Sequence, residues 1–279
     1  MKNIAIAESI VERGNGPALV LIPGIQGRWE YLRPAVESLA TYFRVVTFSL
    51  DGRPRSRVVD RHTIDDEVEQ IVAVLDARRI ERAIVCGISY GGAVATRFAA
   101  LHPERTAALV VASVPGPGWH LRPRHEMYAR WPLIFGPLFL METPFRLRPE
   151  LAVAFPNRAG RLRFARWQLA TLMTAPLSLS GMAARARTLH AHDIAADCRR
   201  VSAPTLVVTG EPALDRVVRV ESTAAYATLI HGARRFVLER TGHLGTITRP
   251  SAFAAAVNDF VRSNVASGFG RTDSRSEVA

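Results

Sequence analysis

Lysine is almost absent from this chain: Lys2 is the only one, and every other basic residue that gives the formal charge of +11 is an arginine. Near-complete replacement of one base by the other reads as coding bias and not as selection at one surface. The charge raises nucleic acid or an acidic membrane as partners. No nucleic-acid motif and no lysine-rich run accompanies it, so a nucleic-acid partner is set aside. Cysteine is scarce too. Cys86 and Cys198 make no disulfide framework and stand in no metal-ligand spacing; Cys86, in the run AIVC, reads as a small core residue. No metal cluster or nucleotide-binding loop is visible, so no cofactor is expected. Long apolar runs are missing as well. None reaches the roughly 18 residues of a spanning helix, and the richest patch, 131–141, is interrupted by Pro132, Gly136 and Pro137. The opening MKNIAIAESIVERG places acids where an export signal needs its apolar stretch. A cytoplasmic location without a membrane span is therefore expected.

What is present fits a globular chain with a sizeable core: 279 residues, 48% of them hydrophobic. The opening KNIAIAESIVER and Gly14-Asn15-Gly16-Pro17 read as two short edge strands and a turn. Ala18–Ile22 (ALVLI), stopped by Pro23 and Gly24, has the continuous apolar character of a strand buried on both faces. A helix is expected from about Trp29 to Tyr42 and a strand over Arg44–Phe48. Thr63 with Asp66 three residues on predicts a capped helix, its stripe formed by Val68, Ile71, Val72 and Leu75. Ala83–Cys86, Ala107–Ala112, Thr205–Thr209 and Arg235–Leu238 read as further strands. Tyr90–Leu101, a stretch around Glu221–Leu229, and Ser251–Val261 read as helices. Short strands alternating with helices predict an α/β fold, a mostly parallel central sheet flanked by helices.

That alternation breaks between Val114 and Ala203. Nine prolines, from Pro115 to Pro176, and short helical patterns such as Arg161–Met173 fill this stretch. It is too long for a loop and too apolar for disorder. An inserted helical cap over 115–202 is expected, with 1–114 and 203–264 forming the core domain and 265–279 a flexible tail. Apolar cap residues (Trp119, Trp131, Phe135, Phe139, Trp167 and Met173) would pack into the cap or line its pocket. The arginines concentrate here. Between His120 and His190 there are eleven against Glu126, Glu142 and Glu150, a net of +8. A basic cap could attract anionic substrates or form a partner surface; a solvated arginine face is the plain alternative.

Gly87-Ile88-Ser89-Tyr90-Gly91 is a G-x-S-x-G placed directly after a strand and directly before a helix. A serine on so sharp a turn is pushed out of the sheet edge, and the helix start aims its unpaired N–H groups at the same place. A serine hydroxyl needs a base. Of the eight histidines, His243 alone follows the last strand and so lies at the strands' carboxyl edge with Ser89. His62, His102 and His231 sit near helix ends, where solvated or capping roles are expected. Asp215, after the TLVVT strand, can orient the imidazole, and the chain order Ser, Asp, His suits such a sheet. Glu211 is the rival acid; Asp193 and Asp197 precede the strand, at the wrong end. Oxyanion donors are expected from the backbone N–H of Tyr90 and, in the loop Pro23–Gly27, of Ile25, with Gln26 second.

With these motifs in place the chain resembles the α/β-hydrolase fold superfamily along about residues 2–263. The matching pieces are the Pro23-Gly24 loop, the elbow at Ser89, the segment TLVVTGEPALD, and Gly242-His243 followed by Pro250. The resemblance implies a triad of Ser89, Asp215 and His243 with oxyanion amides from Ile25 and Tyr90. Two departures stand out. Pro23 occupies a position often held by histidine, and Gly52-Arg53-Pro54-Arg55-Ser56 carries Pro54 where a second glycine is usual. The expected activity is hydrolysis of a small-molecule carboxylic ester through an acyl-enzyme, with no cofactor. Thioesterase, lactonase, carbon–carbon bond hydrolase and perhydrolase chemistry share the same machinery. A slow-turnover ligand receptor is the reading from another class.

Overall fold

The computed structural model describes residues 10–50 and 62–265. The first part of the expected amino-terminal strand pair, the loop 52–56 and the tail from 266 lie outside the described residues. The strands are β1 (Val11–Arg13), β2 (Ala18–Ile22), β3 (Arg44–Thr47), β4 (Ala83–Ile88), β5 (Thr106–Ala112), β6 (Thr205–Thr209) and β7 (Arg234–Val237). They form one sheet in the order β1-β3-β2-β4-β5-β6-β7. Only β1 runs antiparallel, pairing Val11 with Thr47; every other pair is parallel. The buried strands are apolar on both faces because helices cover both. At the far edge β7 is exposed along its length, and Arg234 and Arg235 head it, charges that discourage pairing with another chain.

Helix α1 (Arg33–Leu39) and the carboxyl-terminal helix described below cover one face; α2 (Ile64–Ala77) and α3 (Tyr90–Leu101) cover the other. The expected helix over 29–42 is shorter than its pattern suggested. Trp29–Leu32 is a 3₁₀ turn, and the α-helix starts only where Pro34 fills the first turn, the place where a missing N–H costs nothing. Thr63 and Asp66 form the capping box of α2: the Thr63 amide donates to Asp66 Oδ2 at 2.7 Å.

Between β5 and β6 the described chain is helical throughout its regular parts: α4 (Pro123–Arg130), α5 (Pro132–Ala154), α6 (Arg158–Thr174), α7 (Leu179–Ala191) and α8 (Ile194–Arg200). Prolines begin α4 and α5. Pro137, Pro144 and Pro149 lie inside α5, which nonetheless runs 23 residues. Each interior proline removes one backbone donor. Two of the carbonyls so released, those of Leu133 and Phe145, belong to residues 75% and 76% exposed, on turns that water can reach. After β6 the expected helix over 221–229 is two short turns, Val220–Ala224 and Tyr226–Leu229. There Thr223 and Tyr226 are buried and donate to the carbonyls of Val114 and Pro115. A short turn, Gly245–Thr248, leads into α9 (Pro250–Asn264).

Candidate active site

Ser89 sits between β4 and α3 with φ 54° and ψ −124°, a conformation that costs a non-glycine residue about 1–3 kcal/mol. The neighbouring glycines make the turn possible. A Cβ on Gly91 would lie 2.4 Å from the Ile22 carbonyl oxygen, and one on Gly87 would lie 2.1 Å from that of Gly91. Helix and strand thus approach closely enough to exclude side chains at both places. The Ser89 amide donates to Ala112 of β5 at 2.8 Å, which ties the turn to the sheet and leaves the hydroxyl at its carboxyl edge.

His243 comes to the same edge on the segment after β7. Its Nε2 is 3.2 Å from Ser89 Oγ, and its Nδ1 is 3.5 Å from Asp215 Oδ2. The second distance is at the outer limit of a hydrogen bond, and Nδ1, itself buried, makes no hydrogen bond among the described residues. Asp215 is 8% exposed. Its other oxygen, Oδ1, accepts from the amides of Val217 and Val218 at 2.9 Å each, which fixes the carboxylate's direction. The rival Glu211 faces elsewhere and accepts from the Arg240 amide at 2.6 Å. Asp193 caps α8, and Asp197 pairs with Arg97 and His192. An imidazole between a hydroxyl and a carboxylate can take the hydroxyl's proton and be stabilised as a cation.

The loop after β2 closes the site. Gly27 donates to the Gly24 carbonyl at 2.8 Å, so Ile25 and Gln26 are the corners of a tight turn. Neither corner amide has a protein acceptor among the described residues. The Tyr90 amide opens α3, where no helical carbonyl precedes it. A side chain on Gly24 would lie 3.4 Å from Ser89 Cβ, so this loop and the serine are in contact.

Beside the site lies a buried charged network that the sequence did not reveal. Glu67 of α2 and Arg185 of α7 are 1% and 3% exposed. Arg185 donates from Nε to Glu67 Oε1 at 3.3 Å, from Nη1 to the Ile25 carbonyl at 3.2 Å, and from Nη2 to the Leu50 carbonyl at 2.9 Å. The Tyr90 hydroxyl donates to the other Glu67 oxygen, and burial beside that carboxylate pushes the phenol well above its usual range. His62, expected to be solvated or capping, is instead buried with Nε2 3.1 Å from Glu67 Oε1. One cation from the helical segment thus touches both residues named as oxyanion donors, Ile25 directly and Tyr90 through Glu67. A signal existed for Glu67 alone: it shares the inward face of α2 with Ile71 and Val74, where an acid needs a partner.

Glu150 of α5 reaches the histidine segment. It is 1% exposed and accepts from the Leu244 amide at 2.8 Å and the Thr248 hydroxyl at 3.1 Å. Burial raises its pKa, against the opposing effect of the Leu244 and Gly242 amides. Of the expected apolar cap residues, Trp119 and Trp167 pack on the core clusters, while Phe135 and Phe139 flank the Tyr128 ring. Trp131 and Met173 do neither: they are 53% and 77% exposed.

Among proteins of known character, epoxide hydrolase B of Mycobacterium tuberculosis is 38% identical over 118 residues, which cover 41% of this chain. That match spans about a third, 33%, of the relative's length. A putative carbamate hydrolase RutD of a Caulobacter species is 28% identical over 265 residues, covering 90% of this chain and 94% of that one. Among solved structures, the enol-lactonase of Burkholderia xenovorans superposes with a TM-score of 0.72 at 22% identity, over 91% of this chain and 95% of the other; at that identity the likeness speaks to fold. Residues 19–256 match the alpha/beta hydrolase family. The chain belongs to that family.

Proposed function

We propose that this protein is a serine hydrolase that cleaves a carboxylic ester, or a related acyl bond, of a small molecule through an acyl-enzyme on Ser89. The observation that carries this reading is the placement of His243 Nε2 3.2 Å from Ser89 Oγ, with Asp215 on the imidazole's other side. In the first half-reaction His243 takes the hydroxyl proton as Ser89 Oγ attacks the carbonyl carbon. The oxyanion is held by the amides of Tyr90 and Ile25, each worth about 3–4 kcal/mol of barrier. Collapse expels the alcohol, which leaves with the proton from His243. Water, deprotonated by the same nitrogen, then releases the acid and restores the serine. The loose Asp215 contact tightens as the imidazole becomes a cation, as such contacts do on passing from the free to the substrate-bound state.

Segment 115–202 is assigned as a cap over this site, with 1–114 and 203–264 as the core. The relative named putative carbamate hydrolase, matched over 94% of its length, supports hydrolysis at an acyl carbon. A nucleophilic carboxylate, needed for epoxide opening, is absent from position 89, so the shorter match to an epoxide hydrolase does not redirect the reading. A panel of p-nitrophenyl esters of graded acyl length, thioesters, lactones and carbamates, assayed with the wild type and Ser89→Ala, tests the proposal. Turnover should fall on the order of 10⁶-fold in the variant. Full activity retained by Ser89→Ala would end this reading.

A further inference from the structure

The most exposed apolar side chains of the described molecule lie mainly on α5 and α6. On α5, Ile134, Leu138, Met141 and Phe145 follow at spacings of four, three and four residues and so share one face; they are 67%, 42%, 68% and 76% exposed. On α6, Leu162, Leu169 and Met173, exposed by 62%, 59% and 77%, line another outward face. These are surplus to packing. The inward sides of the same helices already carry Phe135, Phe139, Phe164 and Trp167, which pack on Tyr128 or on the core. A helix facing water alone would place polar residues on its outer face.

The charges on those faces decide what covers them. Arg148 continues the α5 face beyond Phe145, and Arg158 and Arg166 interleave with the apolar residues of α6; all three are exposed. None of them has a carboxylate partner within ion-pair distance among the described residues. Trp131, half-exposed at the start of α5, is a residue type that prefers the boundary between water and lipid. A second copy is a poor occupant. It would set one segment with eleven arginines and three acids against a like-charged surface.

We propose that the outer faces of α5 and α6 dock on an anionic lipid bilayer, the apolar residues entering the headgroup boundary and the arginines pairing with lipid anions. This face contains no residue of the triad, and its assignment stands whether or not Ser89 is the nucleophile.

Flotation of the full-length protein with vesicles tests it, using phosphatidylcholine alone and phosphatidylcholine with phosphatidylserine in equal parts. The wild type should float with the anionic vesicles, less so as salt screens the arginines. A Met141→Ser/Phe145→Ser variant should bind them about tenfold or more weakly. Both substitutions are at the surface, so an unchanged melting temperature and unchanged hydrolysis of a soluble ester should accompany that loss. Three results would overturn the proposal: no flotation with anionic vesicles, equal flotation of wild type and variant, or a concentration-dependent dimer that the variant abolishes without any vesicle binding. The last would assign the face to a second copy.

Discussion

Replacing Arg185 by methionine isolates the buried network beside the site. Methionine fills similar length without charge. The substitution leaves Glu67, 1% exposed, without its arginine and with only the Tyr90 hydroxyl and the His62 ring beside it, and it strips the carbonyls of Ile25 and Leu50 of their donor. Breaking a buried ion pair from one side costs about 3–5 kcal/mol, because the remaining charge stays desolvated and unpaired. In a chain of this size each kcal/mol moves the melting temperature by about 2–4 °C, so a fall on the order of 6–20 °C is expected. Part of that loss should return in Glu67→Gln/Arg185→Met, where no orphaned charge remains. A double-mutant cycle should therefore give a coupling of about 1–3 kcal/mol, read from urea unfolding followed by far-ultraviolet circular dichroism. Arg185 also holds the Ile25 carbonyl, so the folded single variant should lose kcat more than KM as the turn proposed to hold the oxyanion loosens. The reasoning fails if Arg185→Met unfolds within about 1 kcal/mol of the wild type, or if the two substitutions simply add.

Asp215→Asn should lower kcat by about 10⁴-fold on any ester the wild type turns over, since the amide favours the wrong imidazole tautomer. A rate that survives this change but falls with Glu211→Gln would transfer the orienting role to Glu211. Glu150 sets a pH dependence of stability. Its pKa is raised above the ordinary 4.5 by burial, so the native state holds this proton where the unfolded chain has lost it. The contribution is full below about 4.5 and disappears as pH rises through the raised value. The unfolding free energy of the wild type minus that of Glu150→Gln should therefore decline with rising pH across that window; a flat or rising difference in urea titrations would contradict the burial argument. Both thiols should resist an aromatic disulfide reagent until the chain unfolds. Cys86 is fully buried, and burial pushes the Cys198 thiol up to about 12, so fast labelling of native protein would show a more open core.

Two long-range contacts show why some of this molecule was legible in its sequence and some was not. Ser89 and His243 are 154 positions apart, yet each stands just past a strand, and parallel strands end at one edge. Locating the strands was enough to bring the two together. That depended on local signals: the apolar run ALVLI, the capping pair Thr63 and Asp66, and the glycines around Ser89. Glu67 and Arg185 are 118 positions apart and obey no such rule. Their meeting depends on how α7 lies across α2, which is set by the packing of many side chains and not by any one of them. The same limit explains α5. Prolines argue locally against a long helix, but they cannot say whether its carbonyls face water. Where they do, the helix survives the missing donors, and its outer face is left to Leu133, Met141 and Phe145 in place of charge. Local chemistry thus dictated which residues reach the strand edge, whereas the surroundings of Arg185 and Glu150 arise only when helices from distant segments dock. A variant that shifts α7 without touching the sheet would accordingly disturb the turn at Ile25 and Gln26 while leaving Ser89 and His243 in reach of each other.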